Sequence, residues 1–213
     1  MLDYILDNLM HLPINKFLQG GKYRIVRFIS SGGFGNTYEA EHVLFCKRVA
    51  IKEFFVKDFC NRDERTAYVT IEITNKRDLV EKLKKKFIDE ARSIFDLHHL
   101  GIVRVTDVFE ENATAYYVMD YIDGRSLKEI VETEGALTES RALGYIRQVA
   151  DALGYVHSHS RLHLDIKPGN IMIDGNDRAI LIDFGASKQY DEVNGENTST
   201  LIGQTPGYAP LEQ

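Results

Sequence analysis

Three strand-like runs follow one another early in the chain: "KYRIVRFIS" from Lys22, "NTYEAEHV" from Asn36 and "RVAIKEFF" from Arg48. Each is rich in branched and aromatic residues, as strands are. The first two are joined by "SSGGFG" (Ser30–Gly35), a glycine-rich turn. The first part of the chain is therefore strand-rich, and "YVTIEIT" (Tyr68–Thr74) reads as an extra edge strand inserted before the next helix.

A different period then takes over. From about Arg77 to Leu97, the residues Leu83, Phe87, Ile94 and Leu97 recur at helical spacing. Glu90 lies on the same stripe. A carboxylate facing a core needs a cation or strong donors; one at the stripe's edge reaches solvent instead, and periodicity leaves both readings open. "GIVRVTDVFEE" and "TAYYVMDYI" read as a hairpin. Ser126 with Glu129 matches a capping box, so a short helix follows. Thr138 caps a long helix to about Ser158, with the stripe Ala142, Ile146, Val149, Leu153 and Val156. The short runs "IMI" and "AILI" come next, then Asp183-Phe184-Gly185. From Ala186 to Gln213 the chain is polar, with no helical period. A strand-rich half thus precedes a helix-rich half, joined near Tyr121–Gly124, an order that predicts two lobes with a cleft between them.

Composition narrows the partners. With 213 residues the chain can form one large domain or two small lobes with real cores. A net charge of −6 argues against a broad basic face for nucleic acid. Two cysteines, Cys46 and Cys60, make no disulfide framework and fit a reducing, cytoplasmic compartment. No apolar run approaches the ~18 residues that span a bilayer. The opening "MLDYILDNLM" carries Asp3 and Asp7 and no basic residue, which argues against a secretory signal. Leu2, Ile5, Leu6 and Leu9 sit at helical spacing instead and predict a short amphipathic helix, set off by Pro13 and Gly20-Gly21. Packing on the smaller lobe is the default expectation for it; covering the base of a second copy is the alternative.

Four features carry chemistry. A glycine turn lets backbone N–H groups approach phosphates, although such a turn by itself is more often only a hairpin. Lys52 has the apolar neighbours Val49, Ala50 and Ile51, so it wants an acidic partner, and Glu90 wants a cation; an ion pair satisfies both. "HLDIKPGN" (His163–Asn170) places Asp165, Lys167 and Asn170 on one short loop. Asp183 ends an apolar strand, a good position for a hard-cation ligand such as one for Mg²⁺.

Taken in order, the glycine turn, Lys52, Glu90, "HLDIKPGN", "DFG" and "APLE" (Ala209–Glu212) resemble a eukaryotic-type protein kinase catalytic domain over about residues 22 to 213. "VAIKEFF", "YAPLEQ" and the inserted strand resemble bacterial members of its serine/threonine branch. The resemblance implies an α+β, bilobal fold: an N-terminal extension over 1–21, an antiparallel-sheet N-lobe with a long helix and hinge over 22–122, and a truncated, mainly helical C-lobe over 123–213. It implies that Ser30, Gly32, Gly33, Phe34 and Gly35 cover the phosphates of ATP and that Ala50 belongs to the nucleotide site. Lys52 would contact the α- and β-phosphates while paired with Glu90. Met119 would be the gatekeeper, and the backbone of Asp120, Tyr121 and Ile122 the hinge. Asp165 would orient the substrate hydroxyl and take its proton, Lys167 would neutralise the transferred phosphoryl, and Asn170 and Asp183 would hold Mg²⁺. Lys167 before Pro168, and Thr205 in "GQTPGY", match the serine/threonine pattern. The expected reaction is γ-phosphoryl transfer from Mg·ATP to a protein Ser or Thr hydroxyl.

The chain departs from the pattern in places. Ser30 and Thr37 replace the usual glycine and valine, which predicts weaker ATP binding. Leu164 replaces the arginine that commonly pairs with an activation-segment phosphate, so activity is expected not to depend on phosphate at Thr198, Ser199 or Thr200. Leu211 splits Ala-Pro-Glu, and Gln213 ends the chain before the helices that usually follow. The alternative reading is therefore a weak or inactive pseudokinase, a nucleotide-binding or scaffolding module completed by a partner or by a second copy in a homodimer. A small-molecule kinase is disfavoured by "KPGN", "DFG" and the peptide-docking character of Thr205–Glu212.

Overall fold

A computed structural model of the protein describes residues 10–33, 35–63, 65–72, 76–184, 188–189 and 208. The expected N-terminal helix, Phe34, Gly185, Thr198, Ser199, Thr200, Thr205 and the "APLE" residues lie outside them. The chain divides into two compact units, Met1–Phe95 with Val105–Tyr121, and Asp96–Arg104 with Ile122–Gln213.

The first unit is built on a six-stranded antiparallel sheet. Its elements are β1 (Phe17–Leu18), β2 (Tyr23–Gly32), β3 (Gly35–His42), β4 (Lys47–Phe54), β5 (Cys60–Arg62), β6 (Val69–Ile71), helix α1 (Arg77–Phe95), β7 (Val105–Glu111) and β8 (Thr114–Asp120). The sheet order is β1-β2-β3-β4-β8-β7. Register decides which side chains share a face, because partners across an antiparallel pair project to the same side. Glu53 lies opposite Asn36 on β3 and Tyr116 on β8, whereas Lys52 lies opposite Thr37 and Tyr117. One face thus carries the core of Tyr38, Ala40, Val49, Ile51, Tyr116 and Val118, covered by Leu12, Leu18 and Ala67. On the other face Phe54 and Tyr117 pack against Phe87 of α1, with ring centroids 5.7 and 4.9 Å apart. Burial on both faces is why "VAIKEFF" reads as a continuous apolar run instead of an alternating one.

The inserted strand differs from expectation. Val69–Ile71 pairs with Cys60–Arg62 in a separate two-stranded ribbon, not along the edge of the main sheet. That edge is taken instead by β1, from the segment upstream of Lys22. Helix α1 stops at Phe95, and Leu97 is buried within the second unit. The predicted hairpin strand is also shorter. It begins at Val105, while Ile102 bridges Leu181 and the Val103 N–H donates to the Leu181 carbonyl at 2.9 Å, both in the second unit.

The second unit holds β9 (Gly124–Ser126), α2 (Leu127–Glu134), α3 (Glu139–Ser158), β10 (Arg161–Leu162), β11 (Ile171–Asp174), β12 (Ala179–Leu181) and β13 (Lys188–Gln189). The three-stranded sheet β12-β11-β9 requires glycine at 124, where a Cβ would lie 2.1 Å from the Ile173 carbonyl oxygen. The capping box forms: Ser126 Oγ accepts from the Glu129 N–H at 3.1 Å, and Glu129 Oε2 accepts from the Ser126 N–H at 2.7 Å. Thr138 caps α3 by a single bond, its Oγ1 accepting from the Arg141 N–H at 3.4 Å.

The buried face of α3 is rotated from the predicted stripe. Tyr145, Ala152 and Val156 are buried, and Ile146 is 61% exposed. Two polar anchors set this rotation. Tyr145 donates to Asp177 Oδ1 at 2.5 Å, and the Ala179 N–H donates to Gln148 Oε1 at 2.8 Å. Both bind the β11–β12 hairpin, so the helix turns the 145/148/152 face toward it. Among the described residues, no helix is long and apolar enough to cross a membrane.

Candidate active site

The sheet unit positions the first group of residues. Lys52, in the middle of β4, and Glu90, in α1, form an ion pair at 3.6 Å with side chains only 16% and 10% exposed. This decides the question left open by the helical stripe: Glu90 faces inward and meets the strand lysine. Tyr117, beside Lys52 in the register, donates its hydroxyl to Glu90 Oε1 at 3.2 Å. The Lys52 ammonium also lies 5.6 Å from the centre of the Tyr117 ring. Sequence reasoning missed Tyr117, which reads as an ordinary strand aromatic. Only the β4–β8 register gives it a role. Removing the hydroxyl with Tyr117→Phe keeps the ring contact with Phe87 and is expected to lower unfolding stability by about 1 kcal/mol in urea titrations. An unchanged midpoint would show that this hydrogen bond does not hold Glu90.

Thr37, Ala50, Lys52, Tyr117 and Met119 share one face of the sheet through the pairings Thr37–Lys52–Tyr117 and Ala50–Met119. Asp120 accepts from Lys47 Nζ at 2.6 Å. Tyr121 accepts from Arg27 Nη2 at 3.1 Å and lies under the Arg48 guanidinium, 4.0 Å from the ring centre. The glycine hairpin closes with the pairs Ser30–Thr37, Ser31–Asn36 and Gly32–Gly35. Among the described residues nothing lies within 4 Å of where a Cβ on Gly32 or Gly33 would be, but a Cβ on Gly35 would lie 1.9 Å from the Glu53 carbonyl oxygen. Gly35 is thus required by the backbone of β4.

The second unit positions the other group, on the loop between β10 and β11. Asp165 Oδ2 receives Lys167 Nζ at 2.7 Å and Asn170 Nδ2 at 2.9 Å, and Asn170 Nδ2 also donates to the Asp165 carbonyl at 2.9 Å. Asn170 is buried, with Pro168 opening the short 3-10 turn that ends at it. The loop also holds the residue before Asp183. The Ile182 N–H donates to the Asn170 carbonyl at 3.0 Å, and the Ile182 carbonyl accepts from His163 Nε2 at 3.2 Å.

His163 is a second residue that the sequence pattern did not single out. It is 2% exposed, and its ring lies 4.3 Å from that of Phe184. Its Nδ1 accepts from the Asp165 N–H at 3.3 Å, so the proton sits on Nε2 and the ring is neutral. Burial pushes its pKa below the ordinary imidazole value, in keeping with that state. Leu164 and Asp183 have φ values of 61° and 58°, the left-handed region that non-glycine residues seldom occupy. Strain of this kind persists where surrounding bonds over-determine the backbone, and here they are the bonds of His163 and Asn170.

Comparison with known proteins agrees with this geometry. The family model described as protein kinase domain matches residues 23–212. The serine/threonine-protein kinase PrkC of Bacillus subtilis is 31% identical over 190 residues, which cover 89% of this chain and 26% of PrkC. PknA of Mycobacterium tuberculosis, also a serine/threonine-protein kinase, is 30% identical over 195 residues, covering 89% of this chain and 41% of PknA. The chain thus spans about a quarter to two fifths of the length of these relatives. The solved structure of PpkA-294 in its apo form superposes with a TM-score of 0.78 at 26% identity, over 83% of this chain and 62% of that one. An antiparallel sheet with one long helix, a lysine–glutamate pair within it, and an Asp-Lys-Asn loop tied to the start of "DFG" are thus found in a chain that belongs to the protein kinase domain family.

Proposed function

We propose that the chain acts as a serine/threonine protein kinase, moving the γ-phosphoryl of Mg·ATP to a serine or threonine hydroxyl of a protein substrate. The observation that carries this reading is the His163–Asn170 loop, where the Lys167 ammonium and the Asn170 carboxamide both donate to the Asp165 carboxylate, at 2.7 and 2.9 Å. Phosphoryl transfer asks little covalent work of the protein. It needs in-line positioning and positive charge around a loose, highly charged transition state.

In this reading Asp165 orients the acceptor hydroxyl and takes its proton, and Lys167 places positive charge by the transferred phosphoryl. Lys52, held by Glu90, takes the α- and β-phosphates. The backbone from Gly32 to Gly35, with Ser30 and Phe34, covers them. Ala50 and Met119 bound the adenine position, and the backbone of Asp120, Tyr121 and Ile122 reads its edge. Residues 22–122 carry nucleotide binding and residues 123–213 carry transfer and the activation segment, with 1–21 as an extension.

The donor set also suits Mg²⁺. Asn170 engages Asp165 through its Nδ2, which leaves its carboxamide oxygen as a hard donor, and Asp183 adds a carboxylate. Among the described residues there is no cluster of three or more His, Cys, Asp or Glu side chains arranged for a metal. Mg²⁺ bound with phosphate needs only one or two protein oxygens, so Asn170 and Asp183 suffice. Bound there, it supplies positive charge to the phosphate oxygens. A reducing cytoplasm suits the two free thiols, Cys46 and Cys60.

Thermal unfolding with and without Mg·ATP, followed by phosphoamino-acid analysis, tests the proposal. Nucleotide at one hundred times its Kd is expected to add about 2.7 kcal/mol of stability, and ATP labelled at the γ-phosphate is expected to yield phosphoserine or phosphothreonine on a protein acceptor. An unmoved Tm, or release of phosphate with neither product, would overturn it.

A further inference from the structure

The glycine hairpin is anchored from the face opposite Lys52. Asn36 directly follows Gly35, is 1% exposed, and lies in register with Ser31 and Glu53. Its carboxamide reaches three separate segments. Its Oδ1 accepts from Ser31 Oγ at 2.6 Å, on the other arm of the hairpin. Its Nδ2 donates to the Met10 carbonyl at 3.0 Å and to Glu53 Oε2 at 3.3 Å. Met10 belongs to the segment upstream of the sheet. That segment is fastened again two residues on, where the Leu12 N–H donates to the Tyr38 hydroxyl at 3.0 Å. Glu53 is fully buried and adjacent in sequence to Lys52.

Beyond the Ser31–Asn36 pair the hairpin contains Gly32, Gly33, Phe34 and Gly35. Gly32 and Gly33 have no Cβ to wedge them in place, and among the described residues nothing lies near where one would be. Ser31–Asn36 is the last pair before the turn that side-chain hydrogen bonds tie down, so it helps set where the turn's backbone N–H groups point. Thr37 and Lys52 lie on the other face, so Asn36 acts on the turn through the hairpin and not by facing the same side as Lys52.

We propose that Asn36 is a positioning residue for nucleotide phosphates: by tying the base of the glycine hairpin to the Met10 segment and to Glu53, it sets how tightly the hairpin holds the phosphates. This rests on the kinase reading above. It makes a specific demand, that loss of Asn36 weakens binding of the phosphates and spares binding of the nucleoside.

Titration calorimetry of the full chain with Mg·ATP and, separately, with adenosine tests it. In Asn36→Ala the Kd for Mg·ATP is expected to rise about tenfold, and that for adenosine to stay within about twofold. Ser31→Ala, which removes one of the three bonds at an exposed position, is expected to raise the Mg·ATP Kd about threefold with adenosine again unmoved. Equal losses for both ligands would make Asn36 a purely structural residue and overturn the inference, as would no loss for either. If Asn36→Ala does not fold, Ser31→Ala decides by the same ratio. Failure of the unaltered chain to bind either ligand would overturn the kinase reading and this inference with it. Binding with an unmoved ratio would overturn the inference alone.

Discussion

Arg62→Met is expected to lower the unfolding free energy by about 3–5 kcal/mol, the range typical when one partner of a buried ion pair is removed. Arg62 Nη2 meets Glu53 Oε2 at 2.7 Å, and the two side chains are 2% and 0% exposed. Three neutral donors share the carboxylate: the hydroxyls of Tyr38 at 2.8 Å and Tyr116 at 2.9 Å, and the Asn36 carboxamide at 3.3 Å. Burial pushes both phenols well above their ordinary pKa, so they remain protonated donors. Burial alone would pull the Arg62 guanidinium down, but the Glu53 carboxylate together with the Tyr38 and Tyr116 hydroxyls more than offsets it, and the net shift is upward. With the arginine gone, Glu53 keeps hydrogen bonds but loses its countercharge inside the core. The double variant Arg62→Met/Glu53→Gln removes the stranded charge and is expected to recover part of the loss. Urea titrations of the two variants measure both effects. A loss below about 1 kcal/mol in the single variant would show that the pair is solvated and that the network adds little.

Asp165→Asn is expected to lower kcat for phosphoryl transfer by about 10²–10⁴, the usual contribution of a positioned general base. The substitution is nearly isosteric, so the loop keeps its shape, but the carboxamide cannot accept the acceptor's proton or carry the negative charge that faces Lys167 at 2.7 Å. Affinity for Mg·ATP is expected to stay within about threefold, because the nucleotide contacts proposed for Lys52 and the hinge lie elsewhere. Initial rates with γ-labelled ATP and a serine- or threonine-containing acceptor, set beside the nucleotide-induced rise in Tm, separate the two quantities. Transfer at an undiminished rate would remove Asp165 from the chemistry. A parallel loss of nucleotide binding would mean that the loop had collapsed.

The two sites differ in how far they can be read from sequence. Lys52 and Glu90 each break a local rule, a lysine in an apolar strand and a carboxylate on an apolar helical stripe, and the two exceptions identify each other. The capping box at Ser126 and Glu129 is legible because capping joins residues three positions apart. Arg62 and Glu53 are only nine positions apart, yet nothing local links them. Arg62 lies on a three-residue strand too short to show a period, and Glu53 sits in a run that looks like ordinary buried strand. His163 was likewise hidden, because a histidine between leucines says nothing of the Ile182 carbonyl nineteen positions away.

By itself the sequence determined the order of elements, the strands around the glycine turn, the capped helices and the set of residues that resemble those of a kinase. All of these follow from steric preference, hydrophobic period or short-range hydrogen bonds, which act between residues close in the chain. Tertiary structure alone decided the rotation of α3, the left-handed backbone at Leu164 and Asp183, the ribbon that delivers Arg62, and the register that lines up Asn36, Glu53 and Tyr116 on the face opposite Lys52. The physical reason is that burial and register are collective. A side chain's face depends on how its strand or helix is seated against segments far away in sequence, and a shift of one residue would send each of these groups to the other side.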